Sequence, residues 1–278
     1  MTAPTIGPRT GPSQSPGAAA RAAFVALLAR DLTVLRKRPA EFLARTVVQP
    51  LLIVFVLGYI IPQMGRGAPD AGGATQVATT LLAGMLAMVV LFQGIFAVAL
   101  PLVQDFGYTR EIEDRMLAPL PARLVALEKV VVGAVQGLLA ALVVFPLAMF
   151  IPTARPDLSV NWLVLLTLAP LAALMCASLG LFFGTAVDPR GVAAVFTIVL
   201  TPLLWLGCAF FPWSALDTVR WVQVLALVDP LTYVSEGFRA AVTSGPHLSL
   251  VVIYPVLIAF TGLLLWQGIR HFLRRVIS

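Results

Sequence analysis

Asp105-Phe-Gly-Tyr-Thr-Arg-Glu-Ile-Glu-Asp-Arg-Met-Leu-Ala-Pro-Leu-Pro-Ala-Arg-Leu-Val-Ala-Leu-Glu-Lys129 is the most charged stretch of a chain that is otherwise mostly apolar. It lies between two long hydrophobic runs, with Pro101 before it and Pro119 and Pro121 closing its charged core. Between those prolines the spacing predicts a short helix over 107–118. Ile112, Met116 and Leu120 then recur at i, i+4, and Glu111 and Arg115 are i, i+4 partners of opposite charge. A compact charged helix held at one membrane surface by two spans is a docking surface.

The composition around it sets the class. Hydrophobic residues make up 59% of the 278 and charged residues 12%, with a mean hydropathy of +0.94. A soluble domain carries about 25% charged residues, so the sequence reads as an all-α integral membrane protein. The net charge of +6 is explained by its location along the chain and is not a nucleic-acid footprint. Cys176 and Cys208 both fall inside hydrophobic runs and read as inert buried thiols. Residues 1–20 are rich in Pro, Gly, Ser and Thr and lack the layout of a signal peptide, which predicts a disordered cytoplasmic tail. Residues 21–278 are expected to form one six-span transmembrane domain.

Residues 21–38 predict a helix lying on the membrane. Phe24, Leu27, Leu28, Leu32 and Leu35 recur at helical spacing, while Arg30, Arg36 and Lys37 turn toward water. Asp31 falls within the apolar arc, which fits either a basic partner on a neighbouring element or a snorkelling, locally solvated carboxylate. Six hydrophobic segments follow, at about 43–62, 77–104, 129–151, 161–184, 191–211 and 248–269. Each is near the ~20 residues that span about 30 Å of hydrocarbon.

Basic residues orient the spans. With the N-terminus inside, Arg9, Arg21, Arg30, Arg36, Lys37, Arg38, Arg45, Arg110, Arg115, Arg123, Lys129, Arg190, Arg270, Arg274 and Arg275 are cytoplasmic. Only Arg66, Arg155, Arg220 and Arg239 fall outside, so the positive-inside rule places both termini in the cytoplasm. Trp162, Trp213 and Trp221 then sit near the outer interface and Trp266 near the inner one. The segment 212–247 is too apolar for a solvated loop. Ala215–Leu227 and Leu231–Val242, separated by Asp229-Pro230, predict two short helices that dip into the outer leaflet and return. Glu236 and Arg239, at i, i+3, are placed to neutralise each other there.

Several chemistries have no residues to carry them. The sequence has no Gly-x-x-x-x-Gly-Lys-Ser/Thr phosphate loop, so ATP binding by that route is excluded. Its two histidines, His247 and His271, fall on opposite sides of the membrane and build neither a metal cluster nor a Ser-His-Asp arrangement. Ionisable residues are scarce within the spans, against the usual needs of an ion-coupled carrier. Polar residues at depth are Gln93, Gly94, Gln136, Gly137, Thr197 and Thr201. They fit helix–helix packing, and they also fit a mainly apolar substrate surface beside Phe92, Phe96 and Trp205, suited to an amphipathic cargo.

Three features together resemble a known family. They are the Arg-Asp-Leu…Arg-Lys-Arg-Pro…Gln-Pro run over 30–50, the acidic Arg110–Arg123 stretch, and Phe211-Pro212 followed by Asp229-Pro-Leu-Thr-Tyr-Val-Ser-Glu-Gly-Phe-Arg239. In this order they resemble the type-2 membrane subunits of ABC exporters, the group that includes daunorubicin-resistance permeases and relatives exporting lipids and glycans. Asp114-Arg115 stand where Gly-Thr is common, and Asp229 replaces the usual Asn. The resemblance implies two permeases, this chain with a copy or a sister, and two separate ATPase subunits that bind ATP and Mg. Residues 107–123 would be the coupling helix, with Arg110, Glu111, Glu113, Asp114, Arg115 and Arg123 at the ATPase. The helix 21–38 would brace it. Spans two and five, with Phe92, Gln93, Phe96, Thr197, Thr201 and Trp205, would line the path. The re-entrant segment, with Asp229, Tyr233, Glu236 and Arg239, would cap the outer side.

The function so implied is export of a drug or lipid, the alternatives being a lipid-linked glycan or, in another class, ion-coupled carriage. The chain itself would be no enzyme and hold no cofactor. Arg far outnumbers Lys and Ala is abundant, which points to a GC-rich bacterial genome; with the spans and the resemblance, the expected location is the bacterial cell membrane.

Overall fold

The computed structural model describes residues 16–37, 39, 42, 48, 52, 53, 55–60, 71–109, 121–150, 156–187 and 191–277. Among them the regular structure is helical throughout. In chain order the α-helices are α1 (Pro16–Lys37), α2 (Ala71–Gln104), α3 (Ala122–Phe150), α4 (Trp162–Ala186), α5 (Val192–Leu206), α6 (Arg220–Ala226), α7 (Pro230–Val242) and α8 (Leu250–Ile277). Short π-helical turns cover Phe55–Ile60 and Asp105–Thr109, and a 3-10 turn covers Trp213–Thr218.

α2, α3, α4 and α8 are long and apolar enough to cross a membrane. The expected first span, 43–62, lies outside the described residues apart from a few positions and the Phe55–Ile60 turn. α5 answers to the expected 191–211 span but ends early. Its 15 residues rise about 22 Å at 1.5 Å per residue, short of the hydrocarbon thickness. The break follows from the backbone after Leu206. Gly207 donates its N–H to Leu203 O at 3.0 Å, and Cys208 takes a left-handed conformation with φ 52°, which no helix continues through.

Other boundaries move for equally local reasons. α1 begins at Pro16 instead of Arg21, with proline as its first residue and three alanines behind it. α3 begins at Ala122, just after Pro121, whose carbonyl accepts from Leu124 N at 2.8 Å. Arg123 therefore belongs to the first turn of α3. α8 runs on past 269 to Ile277 because Arg274 and Arg275 suit the negative end of a helix dipole.

α2 is the centre of the bundle, and much of its length is buried from Leu81 to Val103. Apolar side chains gain nothing by leaving lipid for one another, so close backbone approach must supply the attraction. Glycine provides it. A Cβ on Gly94 would lie 2.7 Å from Cys176 Cβ, and one on Gly180 would lie 2.8 Å from Ile95 O. α2 and α4 thus meet along a seam of small residues. Pro101, Pro146, Pro170, Pro202 and Pro255 all sit inside helices, as membrane-buried helices tolerate.

Backbone hydrogen bonds fix the direction of the chain. The extended segment entering α4 donates from Ser159 N and Asn161 N to Val242 O and Ala241 O, at 3.2 and 2.8 Å. The start of α4 therefore meets the end of α7, while its far end meets the basic C-terminal part of α8 through Arg275 and Val187 O at 2.9 Å. The bundle thus has an α7 end and a basic end. α7 is the most enclosed element, with all 13 residues buried. It packs against α2, α4 and α8 and is too short to cross a bilayer.

Candidate functional site

At the basic end, two latches hold the two ends of the charged stretch. α1 presents Phe24, Leu27, Leu28, Leu32 and Leu35 half-buried, with Arg30, Arg36 and Lys37 exposed. Asp31 lies among the apolar residues and is paired: Lys129 Nζ donates to its Oδ2 at 2.5 Å. Lys129 also lies 3.7 Å from Glu128 Oε2. The pair joins α1 to the first turns of α3, at the end of the charged stretch. On the other side, the Asp105–Thr109 turn carries Phe106. Its ring meets Phe272 edge-on with centroids 5.7 Å apart and lies 5.4 Å from the Arg275 guanidinium carbon. Arg275 also donates to Val187 O. Both exits of the stretch are therefore anchored to the bundle. Arg110, Glu111, Glu113, Asp114 and Arg115 lie outside the described residues, and Arg123 is exposed in the first turn of α3.

In the middle of the bundle the path candidates fall into two groups. Phe92 and Phe96 stack at 5.7 Å, Phe96 stacks on Phe196 at 5.5 Å, and Phe196 meets Phe183 at 6.1 Å. This run of rings joins α2 to α5 and α4. Thr197, Thr201 and Trp205 follow at i, i+4, i+8 along an exposed face of α5, with Trp205 at 65% exposure. Gln93 does not join either group, since it is buried at 5% exposure in the interior of α2. Phe183 and Phe196 escape sequence reasoning because a phenylalanine in a membrane span carries no signal of its own.

At the α7 end, Glu236 and Arg239 form a buried ion pair on α7, at 1% and 2% exposure. The pair is a hub for the chain around it. Glu236 Oε1 accepts from Trp213 N and Oε2 from Leu248 N, both at 2.8 Å. Arg239 Nη2 donates to Cys208 O at 3.1 Å and to Phe211 O at 3.5 Å. The strained turn at Cys208 is held in place by the guanidinium. Three neighbours close the remaining carbonyls: Thr232 Oγ1 donates to Ala226 O at 2.7 Å, Tyr233 OH to Leu227 O at 2.8 Å, and Ser235 Oγ to Gly207 O at 2.6 Å. Asp229 caps α7 through Leu231 N at 2.8 Å. Its Oδ2 is buried without a partner, and burial pushes the carboxyl up to about 7 against the pull of the Leu231 amide. The four residues expected to cap this side thus stand together, and their chemistry is the satisfaction of irregular backbone buried inside the protein.

Among the described residues, no three His, Cys, Asp or Glu side chains gather closely enough to hold a metal ion. A sequence profile of the family described as ABC-2 type transporter matches residues 22–243. That match runs from α1 through the end of α7. A comparison with curated proteins gave no significant match.

Proposed function

Because this chain belongs to the ABC-2 type transporter family, we propose that it is the membrane-spanning permease of an ATP-driven exporter that moves hydrophobic or amphipathic compounds, drug or lipid, out of the cytoplasm or inner leaflet. The membrane domain of this family is a transport subunit and works with an ABC ATPase. In the proposed complex two ATPase subunits hold ATP and Mg, and the permease pairs with a second copy or a sister chain. The basic end faces the cytoplasm, so the charged stretch around Glu111 and Glu113 meets the ATPase. The Asp31–Lys129 and Phe106–Arg275 latches carry its displacement into α2, α3 and α8.

The observation that carries the cargo reading is the one-sided exposure of α5. Thr197, Thr201 and Trp205 line a face that is mainly apolar with two hydroxyls. The opposite side of the helix is tied to α2 through the stacked rings of Phe196 and Phe96. A surface of that kind suits an amphipath. The motifs over 30–50, 110–123 and 211–239 resemble the group that includes daunorubicin-resistance permeases and relatives exporting lipids and glycans, so a lipid-linked glycan is the alternative cargo.

The test is to purify the chain from its own cells under mild conditions. An ATPase subunit is expected to co-purify, and the isolated permease is expected to hydrolyse no ATP. Reversing Glu111 and Glu113 to Lys should abolish ATP-driven transport while leaving membrane insertion intact. ATP hydrolysis by the isolated permease, or full transport by that double variant, would overturn the proposal.

A further inference from the structure

The α7 end contains a recess with no part in the path just described. It is about 250 Å³ in volume and lies between the first turns of α2, the extended segment before α4, and the turn after α7. Thr79 and Thr80 of α2, Gln76, Asp157, Arg239 and Ser244 provide its polar lining. The walls are fixed before anything binds. Asp157 N donates to Thr79 Oγ1 at 2.8 Å, Thr79 Oγ1 donates to Thr75 O at 2.7 Å, and Thr243 Oγ1 donates to Arg239 O at 2.8 Å. Preorganised walls of this kind reduce the entropy lost on binding.

Two of the lining groups define what would fit. Arg239 lines the recess at 2% exposure, and its Nε is a buried donor with no hydrogen-bond partner, a costly state. Asp157, opposite in charge and exposed, only accepts when ionised. A lone anion would meet Asp157 and the nearby Glu236, while a lone cation would meet Arg239. Hydroxyl groups serve both, accepting from the guanidinium and donating to the carboxylate. The side chains of Gln76, Thr80 and Ser244, which also line the recess, can add donors and acceptors. The volume is below the roughly 300–1,000 Å³ of sites for drug-sized ligands. It equals about eight waters at about 30 Å³ each, room for one sugar ring.

We propose that this recess binds a neutral, polyhydroxylated group, a single glycosyl ring, at the α7 end of the permease. On the orientation adopted under Proposed function, the recess opens on the outer side. The ring then comes either from a membrane amphipath such as a glycosylated cargo or from free sugar in the medium. Binding needs neither ATP nor the ATPase, so its failure leaves the export reading untouched, and the failure of export leaves this site untouched.

The experiment uses the full-length chain in lipid nanodiscs prepared without glycosidic detergent. Saturation-transfer NMR is recorded with methyl α-glucoside and methyl α-mannoside in solution, and separately with dodecyl glucoside in the bilayer. Inorganic phosphate and choline serve as charged competitors. Transfer to a methyl glycoside supports the site with a soluble source, and transfer to the dodecyl glycoside alone supports it with a membrane source. In either case, the Gln76→Leu/Thr80→Val double variant should weaken binding roughly 10-fold or more through the loss of two hydrogen-bonding groups. Its thermal unfolding midpoint should stay unchanged, and Ser244→Ala provides a milder variant at an exposed position. The proposal is overturned if no glycoside shows transfer, if the folded double variant binds as well as the parent, or if phosphate or choline displaces the glycoside.

Discussion

Replacing Glu236 by Gln is the perturbation with the best-defined outcome. The carboxylate accepts from the Arg239 guanidinium, Trp213 N and Leu248 N. A glutamine offers one oxygen and turns an N–H₂ group toward a remaining donor. It also leaves the guanidinium of Arg239 buried without a counter-charge, at 2% exposure. Breaking a buried pair from one side costs about 3–5 kcal/mol. At roughly 2–4 °C per kcal/mol, the unfolding midpoint should fall by about 6–20 °C. Arg239→Met should cost a similar amount by leaving the carboxylate unpaired and Cys208 O and Phe211 O without their donor. The double variant Glu236→Gln/Arg239→Met removes both charges together. Its loss should therefore be smaller than the sum of the two single losses by about 2 kcal/mol or more, as groups in one network couple. The assay is thermal unfolding of the purified full chain in nanodiscs at neutral pH, run as a double-mutant cycle. Single losses under about 1 kcal/mol, or strictly additive losses, would refute the buried hub.

Other perturbations follow from the same geometry. Asp31→Lys and Lys129→Asp, made singly, should each lower the cargo moved per ATP hydrolysed. Together they should restore it, because a charge-assisted hydrogen bond worth about 1.5–3 kcal/mol is rebuilt in reverse; a swap no better than the singles would remove the latch from the mechanism. Asp229→Asn keeps the cap acceptor and loses the charge. The raised carboxyl of Asp229 gives the parent a stability that is complete below its usual value of 3.8 and is lost as pH rises toward about 7. The Asn variant should thus match the parent at pH 4 and exceed it increasingly up to pH 8, by an amount on the order of a few kcal/mol; parallel pH profiles would contradict this. Trp205→Ala, at a 65% exposed position, should raise the apparent KM for cargo several-fold while moving the unfolding midpoint by under about 0.5 kcal/mol, and unchanged transport kinetics would take Trp205 out of the cargo surface.

Hydropathy and charge made much of this architecture legible, and they failed where the deciding contact is silent in one dimension. The apolar arc of α1 was readable from Phe24 to Leu35, and the carboxylate of Asp31 stood out in it. Its partner, Lys129, is 98 residues away, a distance that no periodicity spans. The Glu236–Arg239 pair was readable from its i, i+3 spacing, whereas its grip on Cys208 O and Phe211 O was not. The end of α5 was misplaced because Leu206, Cys208, Ala209, Phe210 and Phe211 are as apolar as a span. Only the backbone angle at Cys208 reveals the break. Among the path candidates, Phe92 and Phe96 proved to share one run of rings, but Gln93 turned inward, since a lone amide in a span satisfies packing as readily as cargo. Thr197, Thr201 and Trp205 kept one face because i, i+4, i+8 spacing alone settles that. The recess beside Arg239 was invisible in the sequence. It needs α2, the segment before α4 and the turn after α7 to converge.

The central claim is that this chain moves cargo only when a separate ATPase drives it. The most direct measurement loads inside-out vesicles containing the chain, with or without its co-purified ATPase, with a fluorescent lipophilic cation or lipid analogue outside. The account predicts accumulation that requires ATP, Mg and the ATPase together, persists when proton and sodium gradients are collapsed, and disappears in the Glu111→Lys/Glu113→Lys variant. Accumulation driven by an ion gradient in vesicles lacking the ATPase would contradict it.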